Sequence, residues 1–291
     1  MGFAEALAAG PLVLDGGLAT QLEADGADLS GALWSARLLR DDPAAIVAAH
    51  AAYLRAGAQV LTTASYQATL PGFAAAGIPA TEAAALLRRS VRLAREAARG
   101  RAWVAASAGP YGAMLADGSE YRGNYGLSVR ELTAFHRPRL EILAEAAPDV
   151  LALETVPDLR EAEALLTALD GLGVPAWLSF TADGSRTRAG QPLEEAFALV
   201  TGLDTIVAVG VNCCEPADAA AAVPLARHAS GGKPVVVYPN SGETWDAVTR
   251  SWAGNPHPPA VPDGAALVGG CCRVGPPAIA AIADSVRARS R

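Results

Sequence analysis

The sequence predicts an α/β protein that folds as a single (β/α)8 barrel over residues 1–291. Eight short apolar runs occur along the chain, and each is followed by a helical stretch or a long loop. The runs are continuously apolar rather than alternating, which is typical of parallel strands buried on both faces. A chain of 291 residues has a common length for one such barrel, and no low-complexity linker divides it.

The predicted strands are rich in valine, leucine and alanine and end at acidic, hydroxyl, glycine or cysteine residues. In chain order they cover residues 12–17, 59–66, 102–107, 150–155, 176–180, 205–213, 234–240 and 265–271. The strands of a parallel barrel all point the same way, so their carboxyl ends meet on one face, where the active sites of such barrels lie. Residues far apart in the sequence therefore become neighbours on that face.

Capping residues, prolines and glycines mark the predicted helices. Asp42–Pro43 opens a helix that ends at Gly57. Ser128 with Glu131, and then Asp158 with Glu161, have the spacing of a capping box. The remaining predicted segments are helices at 81–99, from 192, at 216–231 and at 277–289, a long loop at 109–127 and a proline-rich loop at 255–262.

Composition excludes several classes of protein. The net charge is −7 at pH 7 and the pI is near 5.2, which argues against binding to nucleic acids or anionic membranes. The sequence contains no apolar run long enough for a membrane span, and its first residues lack the pattern of a signal peptide. We therefore expect a cytoplasmic protein whose four cysteines are reduced.

The cysteines occur as two adjacent pairs, each at the end of a predicted strand. Cys213–Cys214 closes the sixth strand and Cys271–Cys272 closes the eighth. Thiolates gathered in this way suit Zn²⁺, although the C-x₂₋₄-C spacing of structural zinc sites is absent. The alternative is that these cysteines are small buried apolar residues, but that does not explain their restriction to two strand ends. Cys214 should point away from its neighbour and is predicted to be structural.

Three thiolates with an open fourth position would form a reactive zinc site at Cys213, Cys271 and Cys272. A free thiol, with a pKa of about 8.5, is only slightly ionised at neutral pH, and a thiol that binds such a zinc ion loses its proton. Several thiolate ligands should keep the pKa of bound water high, which suits hydrolysis less well. The predicted chemistry is alkyl transfer to a thiol.

Two acids and several hydrogen-bond donors are predicted beside this site. Asp15 and Glu154 end the first and fourth strands, so that together they can hold a cationic amino group, although acids at these positions can also serve as loop caps. Thr63 and Ser65 are candidate donors to the substrate. Backbone N–H groups of Gly16–Gly17 can meet a carboxylate.

A Schiff-base enzyme is excluded by the single lysine. Lys233 lies just before the seventh strand and hence at the opposite end of the barrel. The sequence also lacks a phosphate-binding loop. His50 and His136 fall on helices and are predicted to be structural.

Motifs spread over nearly the whole chain resemble the zinc-dependent homocysteine S-methyltransferase family. The most specific are the paired G-x-N-C and G-G-C-C sequences that contain the candidate zinc ligands. The matching stretches are Asp15–Leu22, Thr63–Ala68, Gly109–Ala113, Gly118–Gly123, Glu154–Pro157, Gly210–Cys213, Tyr238–Glu243 and Gly269–Arg273. They are most similar to the branch that uses S-methylmethionine or S-adenosylmethionine rather than betaine.

The resemblance implies a (β/α)8 barrel that transfers a methyl group from a sulfonium donor to homocysteine, forming methionine. Its zinc ligands match Cys213, Cys271 and Cys272. By the same resemblance, Asp15 and Glu154 lie at the homocysteine amino group.

The resemblance also assigns residues around the zinc site. Asn212 is expected to support the metal, while Glu120 and Tyr121 are expected to shape the mouth where the donor enters. One departure is notable, because Val274–Gly275 replaces two threonines that usually follow the G-G-C-C-R sequence. Any hydrogen bond from those hydroxyls to the substrate would be missing or supplied by other residues.

The sequence is also compatible with three other functions. Selenohomocysteine or selenocysteine could replace homocysteine as the methyl acceptor. A catalytically silent zinc-binding barrel is a second alternative, which Cys214 as a fourth ligand would favour. A cobalamin- or folate-linked module of a larger methyltransferase is a third, weakened because no cofactor domain follows the eighth unit.

Overall fold

The computed structural model describes residues 2–29, 33, 35–246, 251–254, 256 and 260–289. The strands of the described residues are β1 Leu12–Val13, β2 Val60–Thr62, β3 Trp103–Ala108, β4 Val150–Val156, β5 Ala176–Phe180, β6 Ala182–Asp183, β7 Arg186–Thr187, β8 Ile206–Asn212, β9 Val235–Tyr238, β10 Thr244–Asp246, β11 Ser251–Ala253 and β12 Ala265–Val268. The main sheet has eight parallel strands in the order β1-β12-β9-β8-β5-β4-β3-β2.

The two edges of the main sheet meet, which makes it a barrel. Strand β1 pairs with β12 on one side. On the other side a parallel bridge joins Leu14 to Val60 of β2, and the backbone N–H of Asp15 donates to the Val60 carbonyl at 3.0 Å. The predicted single (β/α)8 barrel is therefore confirmed.

Helices surround this barrel, with the longer ones following the strands as predicted. They are α1 Phe3–Ala9, α2 Leu18–Ala24, α3 Ser35–Asp41, α4 Pro43–Arg55, α5 Leu70–Ala75, α6 Ala80–Ala98, α7 Tyr111–Leu115, α8 Val129–Glu145, α9 Leu159–Leu169, α10 Leu193–Ala198, α11 Pro216–Ala229 and α12 Pro276–Arg289. None of the described helices has both the length and the apolar character that a membrane crossing requires.

The helix caps are mostly those predicted. Asp42 accepts a hydrogen bond from the Ala45 N–H at the start of α4, and the capping box between Ser128 and Glu131 starts α8. The second predicted capping box is wrong. Asp158 caps α9, but the Glu161 side chain turns away from that cap because buried donors on a neighbouring loop and helix bind it instead.

Several predicted strands are shorter in the structure because side chains replace the ladder at their ends. Strand β2 ends at Thr62 rather than at residue 66, since the Thr63 hydroxyl takes the N–H of Ser107. The hairpins β6–β7 and β10–β11 were not predicted. In the proline-rich loop predicted at 255–262, residues 255 and 257–259 lie outside the described part of the chain.

Apolar side chains fill the amino-terminal end of the barrel interior. Helix α1 lies across that end, and the Phe3 ring packs against Trp103 and Trp177, with ring centroids 5.8 and 6.3 Å away. A larger apolar layer lies between the strands and the outer helices. Because these layers close the bottom and sides, the polar and sulfur-containing side chains can gather only at the carboxyl ends of the strands.

Candidate metal centre and substrate cavity

Three cysteines meet at the carboxyl ends of β8 and β12. The sulfur atoms of Cys213, Cys271 and Cys272 all lie within 4.8 Å of one another. Cys213 follows β8 directly with a left-handed backbone (φ 49°), which turns the chain out of the barrel. The sequence brings these residues together because β8 and β12 are separated in the sheet by β9 alone.

Two of these cysteines, Cys213 and Cys271, form a disulfide with their Cα atoms 5.5 Å apart, and Cys272 is free. The expected free thiols are present at Cys214 and Cys272, whereas Cys213 and Cys271 are paired here. Two thiolates on one zinc ion lie roughly 3.8 Å apart, so a displacement of about 2 Å brings them to the length of a disulfide bond. Metal binding requires this pair in its reduced form, because the thiolate is the ligand.

The turn that carries Cys271 and Cys272 is fixed from three sides. The Cys271 N–H donates to the Pro239 carbonyl at 2.8 Å, and the Cys272 N–H donates to the Asn240 side chain at 3.1 Å. The Arg273 N–H donates to the Thr20 hydroxyl at 3.0 Å. These contacts hold the sulfur atoms in place through the backbone.

Cys214 lies apart from the cluster. Its side chain is completely buried in the main apolar core. Burial raises the pKa of the Cys214 thiol to about 12. This environment is that of a structural residue, as the sequence predicts, and among the described residues the sulfur cluster has three members.

A cavity of about 140 Å³ opens directly above the sulfur cluster. It is lined by most of the residues that the sequence singles out. These are Asp15, Gly16, Gly17, Thr63, Glu120, Tyr121, Glu154, Asn212, Cys213, Cys271 and Cys272, together with residues not predicted, among them Thr62, Tyr66, Gln67, Ser107 and Tyr238.

Asp15 is buried and held by the neighbouring strand end. One carboxylate oxygen accepts the Thr62 N–H at 2.8 Å and the other accepts the Thr62 hydroxyl at 2.9 Å. Burial raises the pKa of Asp15 to about 8, and the charge of Glu154 adds to this effect. Thr62 was not predicted, because it immediately precedes the hydroxyl residue that the strand pattern indicates.

Glu154 also lines the cavity, where two hydroxyl groups orient it. Ser107 donates to one carboxylate oxygen, and the Tyr238 hydroxyl also hydrogen-bonds to the carboxylate. Tyr238 in turn accepts the Trp177 indole N–H at 3.0 Å and contacts the Ser179 hydroxyl at 2.7 Å. Burial raises the pKa of Glu154 to about 7. A chain of hydrogen bonds thus fixes this acid from inside the barrel.

Asn212 binds the residue that follows Glu154. Its side-chain oxygen accepts the Thr155 N–H at 2.7 Å, and its NH₂ group donates to the Thr155 hydroxyl at 2.8 Å. Thr155 has φ 60°, a conformation that costs a β-branched residue about 1–3 kcal/mol unless its surroundings enforce it. Asn212 therefore connects the strand that carries Glu154 to the strand end that carries Cys213.

The two predicted hydroxyl donors differ in position. Thr63 lines the cavity, whereas Ser65 is buried behind it and donates to the Ser107 carbonyl at 2.7 Å. The two hydroxyls also contact each other at 2.6 Å. Ser65 thus supports Thr63 and Ser107 instead of facing the cavity.

Gly16 and Gly17 both line the cavity, but the N–H of Gly17 already donates to the Val274 carbonyl at 3.0 Å. Tyr53, which the sequence did not single out, donates its hydroxyl to the carbonyls of Gly17 and Val274 at 2.8 and 3.1 Å.

The Val274 side chain is 1% exposed and packs in the core beside Gly270. A threonine hydroxyl at 274 would therefore face the core and not the cavity.

The loop after β3 contributes Glu120 and Tyr121 to the lining of the cavity. It contains α7 and a 3-10 turn at Ser119–Tyr121. The Tyr121 hydroxyl hydrogen-bonds to the Cys272 thiol, and burial raises the pKa of that thiol. The loop therefore reaches across to the sulfur cluster.

The first turn of α9 anchors both ends of this loop. Glu161 accepts the Tyr111 N–H at 2.5 Å, and Asp158 accepts the Asn124 N–H at 2.9 Å. On its other side Glu161 meets His136 Nε2 at 2.9 Å, while Arg139 donates to His136 Nδ1 at 2.7 Å. A neutral imidazole with its proton on Nε2 satisfies both contacts, consistent with burial lowering the pKa of His136.

We expect Glu161→Ala to loosen the loop that contains Tyr121. The substitution leaves the buried Tyr111 N–H and His136 Nε2 without an acceptor, which should lower the free energy of unfolding by about 1–3 kcal/mol. Amide hydrogens at 111–124 should also exchange faster in hydrogen-exchange mass spectrometry. Glu163→Ala, at an exposed position of the same helix, is the control. Unchanged exchange at 111–124 in Glu161→Ala would refute the anchoring role.

Comparison with known proteins finds relatives over nearly the whole chain. The family model described as homocysteine S-methyltransferase matches residues 12–286. The homocysteine S-methyltransferase of Escherichia coli (strain K12) is 46% identical, with 93% of this chain and 94% of the relative covered. Homocysteine S-methyltransferase 4 of Zea mays is 45% identical, with 96% of this chain and 90% of the relative covered.

Two solved structures of the E. coli homocysteine methyltransferase MmuM have the same fold. The metallated form superimposes with a TM-score of 0.81 at 44% identity, over 95% of this chain and 96% of that chain. The oxidized form gives a TM-score of 0.82 at 44% identity, over 96% of each chain. The resemblance predicted from the motifs is confirmed, and the chain belongs to the homocysteine S-methyltransferase family.

Proposed function

We propose that this protein transfers a methyl group from a sulfonium donor, S-methylmethionine or S-adenosylmethionine, to the thiol of homocysteine, forming methionine. The observation that carries the proposal is the cavity, which has three cysteine sulfurs on one side and two buried carboxylates nearby. Relatives that match more than nine-tenths of the chain are named homocysteine S-methyltransferases. Residues 1–291 would then form one homocysteine-binding barrel domain.

The residues present fit a zinc ion held by Cys213, Cys271 and Cys272. Thiolates at about 2.3 Å from a tetrahedral zinc ion lie roughly 3.8 Å from one another. The three sulfur atoms lie within 4.8 Å of one another, reduction of the Cys213–Cys271 bond frees that pair to move to this spacing, and the cavity leaves one side of the cluster open. When bound there, zinc supplies a positive charge that stabilises a substrate thiol in its ionised, nucleophilic form.

The surrounding side chains orient the acceptor. In this proposal Asp15 and Glu154 bind the ammonium group of homocysteine, and the thiol points at the cysteine cluster. Thr63 adds a hydroxyl group to the lining of the same cavity. Asn212 keeps Glu154 and Cys213 in a fixed relation through its two hydrogen bonds to Thr155. Such orientation lowers the entropic cost of lining up thiol, methyl group and leaving sulfur.

The charge of the site favours a cationic donor. Three thiolates around a divalent metal ion would leave a net negative charge in the cavity, and a positively charged sulfonium is attracted there. Methyl transfer converts the sulfonium into a neutral thioether, which loses this attraction and can leave. Neutral methyl donors would gain nothing from the same field.

The test is methionine formation by the reduced, zinc-loaded protein. Homocysteine is supplied with S-methylmethionine or with S-adenosylmethionine in separate reactions, and the chelated protein serves as the control. We expect turnover with at least one sulfonium donor and none after chelation. Absence of turnover with both donors, despite one zinc ion per chain, would overturn the proposal. Selenohomocysteine and selenocysteine are then the acceptors to test.

A further inference from the structure

Two side chains of the cavity lining, Glu120 and Gln67, each have one buried oxygen without a hydrogen-bond donor among the described residues. These oxygens are Oε2 of Glu120 and Oε1 of Gln67. The two side chains are only 6% and 5% exposed, so bulk water does not solvate them well. Leaving a buried carboxylate or amide oxygen unpaired is unfavourable. A ligand that supplies N–H groups would remove this cost.

Both side chains are held in place by the loop after β3. The NH₂ group of Gln67 donates to the Ala113 carbonyl at 3.1 Å, which fixes which end of the amide carries the unpaired oxygen. Glu120 lies in the 3-10 turn Ser119–Tyr121, whose first residue donates its N–H to Asp117 at 2.9 Å. The two oxygens are therefore features of an ordered wall.

Asp15 and Glu154 line the same cavity but differ from Glu120 and Gln67 in having hydrogen-bond donors. Tyr121, next to Glu120, hydrogen-bonds to Cys272, and the charge of Glu120 acts on the same thiol. Glu120 is thus near the sulfur cluster but on the loop side of the cavity. Asp15 and Glu154 already accept hydrogen bonds from Thr62, Ser107 and Tyr238.

We infer that Glu120 and Gln67 form a binding site for the α-ammonium group of the methyl donor. This inference rests on the proposed function and adds to it a residue-level basis for donor choice. An ammonium group offers three N–H donors and a positive charge, which match one carboxylate oxygen and one amide oxygen. The site selects a sulfonium that is part of an amino acid over a simple sulfonium ion.

The test compares S-methylmethionine with its desamino analogue, which keeps the sulfonium and the carboxylate but lacks the ammonium group. In wild type we expect a higher kcat/KM for S-methylmethionine. Glu120→Gln should lower that kcat/KM about 10- to 100-fold, the loss typical of a hydrogen bond to a charged group. Activity with the analogue should change less than about twofold, and the KM for homocysteine should stay the same.

A second variant and a binding measurement test the same site independently. Gln67→Leu should show the same selective loss, while Glu163→Gln, at an exposed site on α9, should show none. Calorimetric titration of each protein with the two sulfonium compounds gives the same comparison without turnover. An equal loss for both donors, or a loss confined to homocysteine, would overturn the assignment. Absence of wild-type turnover would instead refute the proposed function.

Discussion

Replacing Cys272 by alanine is expected to abolish metal binding and methyl transfer together. The variant keeps two sulfur atoms of a cluster that needs three, and it also loses the hydrogen bond from Tyr121. Turnover should fall by about 10³-fold or more, since a bound metal contributes several kcal/mol to transition-state stabilisation. The fold should persist because Cys272 is partly exposed on a loop. Metal content per chain, methionine formation and thermal unfolding are the three measurements.

Cys214→Ala is the matched control for this prediction. Cys214 is adjacent to Cys213 in sequence but buried away from the cluster. This variant should lose some thermal stability, because a core atom is removed, yet keep its metal ion and its turnover. A full complement of zinc in Cys272→Ala, or equal zinc loss in both variants, would show that the ligand assignment is wrong.

The barrel and the sulfur cluster could be predicted because they depend on short-range patterns and one topological rule. Continuous apolar runs identify buried parallel strands, and the carboxyl ends of such strands converge. That rule predicts that Cys213 and Cys271, 58 residues apart in sequence, lie on one face of the barrel, and the structure places them next to each other. The rule also predicts that Asp15 and Glu154 reach the same cavity, which both of them line.

The supporting contacts could not be predicted because they depend on side-chain direction at strand ends. Thr62 and Thr63 are adjacent, yet Thr62 binds Asp15 while Thr63 binds Ser65 and Ser107. A change of one residue in the register of the strand exchanges such roles. Sequence spacing alone does not reveal which of two hydroxyls faces a cavity.

Long-range partners explain the other errors. Glu161 has the spacing of a capping residue, but its actual partners are Tyr111 and His136, which come from the loop after β3 and from α8. Val274 seemed to remove a substrate contact, whereas its side chain lies in the core. Only the packed structure shows that the Tyr111 N–H and the His136 ring are buried and have Glu161 as their acceptor.

Glu154→Gln is expected to weaken homocysteine binding while the metal ion is retained. Glutamine keeps the shape and an acceptor for Ser107 but removes the negative charge that attracts an ammonium group. The lost interaction should raise the KM for homocysteine about 10- to 100-fold, as expected for a hydrogen bond between charged groups. Steady-state kinetics at saturating donor, with zinc content measured in parallel, tests this prediction.

The pH dependence separates loss of charge from loss of shape in the same variant. Burial raises the pKa of Glu154 to about 7, so below that pH the wild-type side chain is protonated and neutral, like glutamine. Above it, the wild-type carboxylate is charged and binds the ammonium group more strongly. The ratio of wild-type to variant kcat/KM for homocysteine should therefore increase as the pH rises through about 7, and it should approach one at lower pH. A ratio that is large but independent of pH would mean that Glu154 acts through its shape and its hydrogen bonds, and the ammonium group would have to be held by other residues.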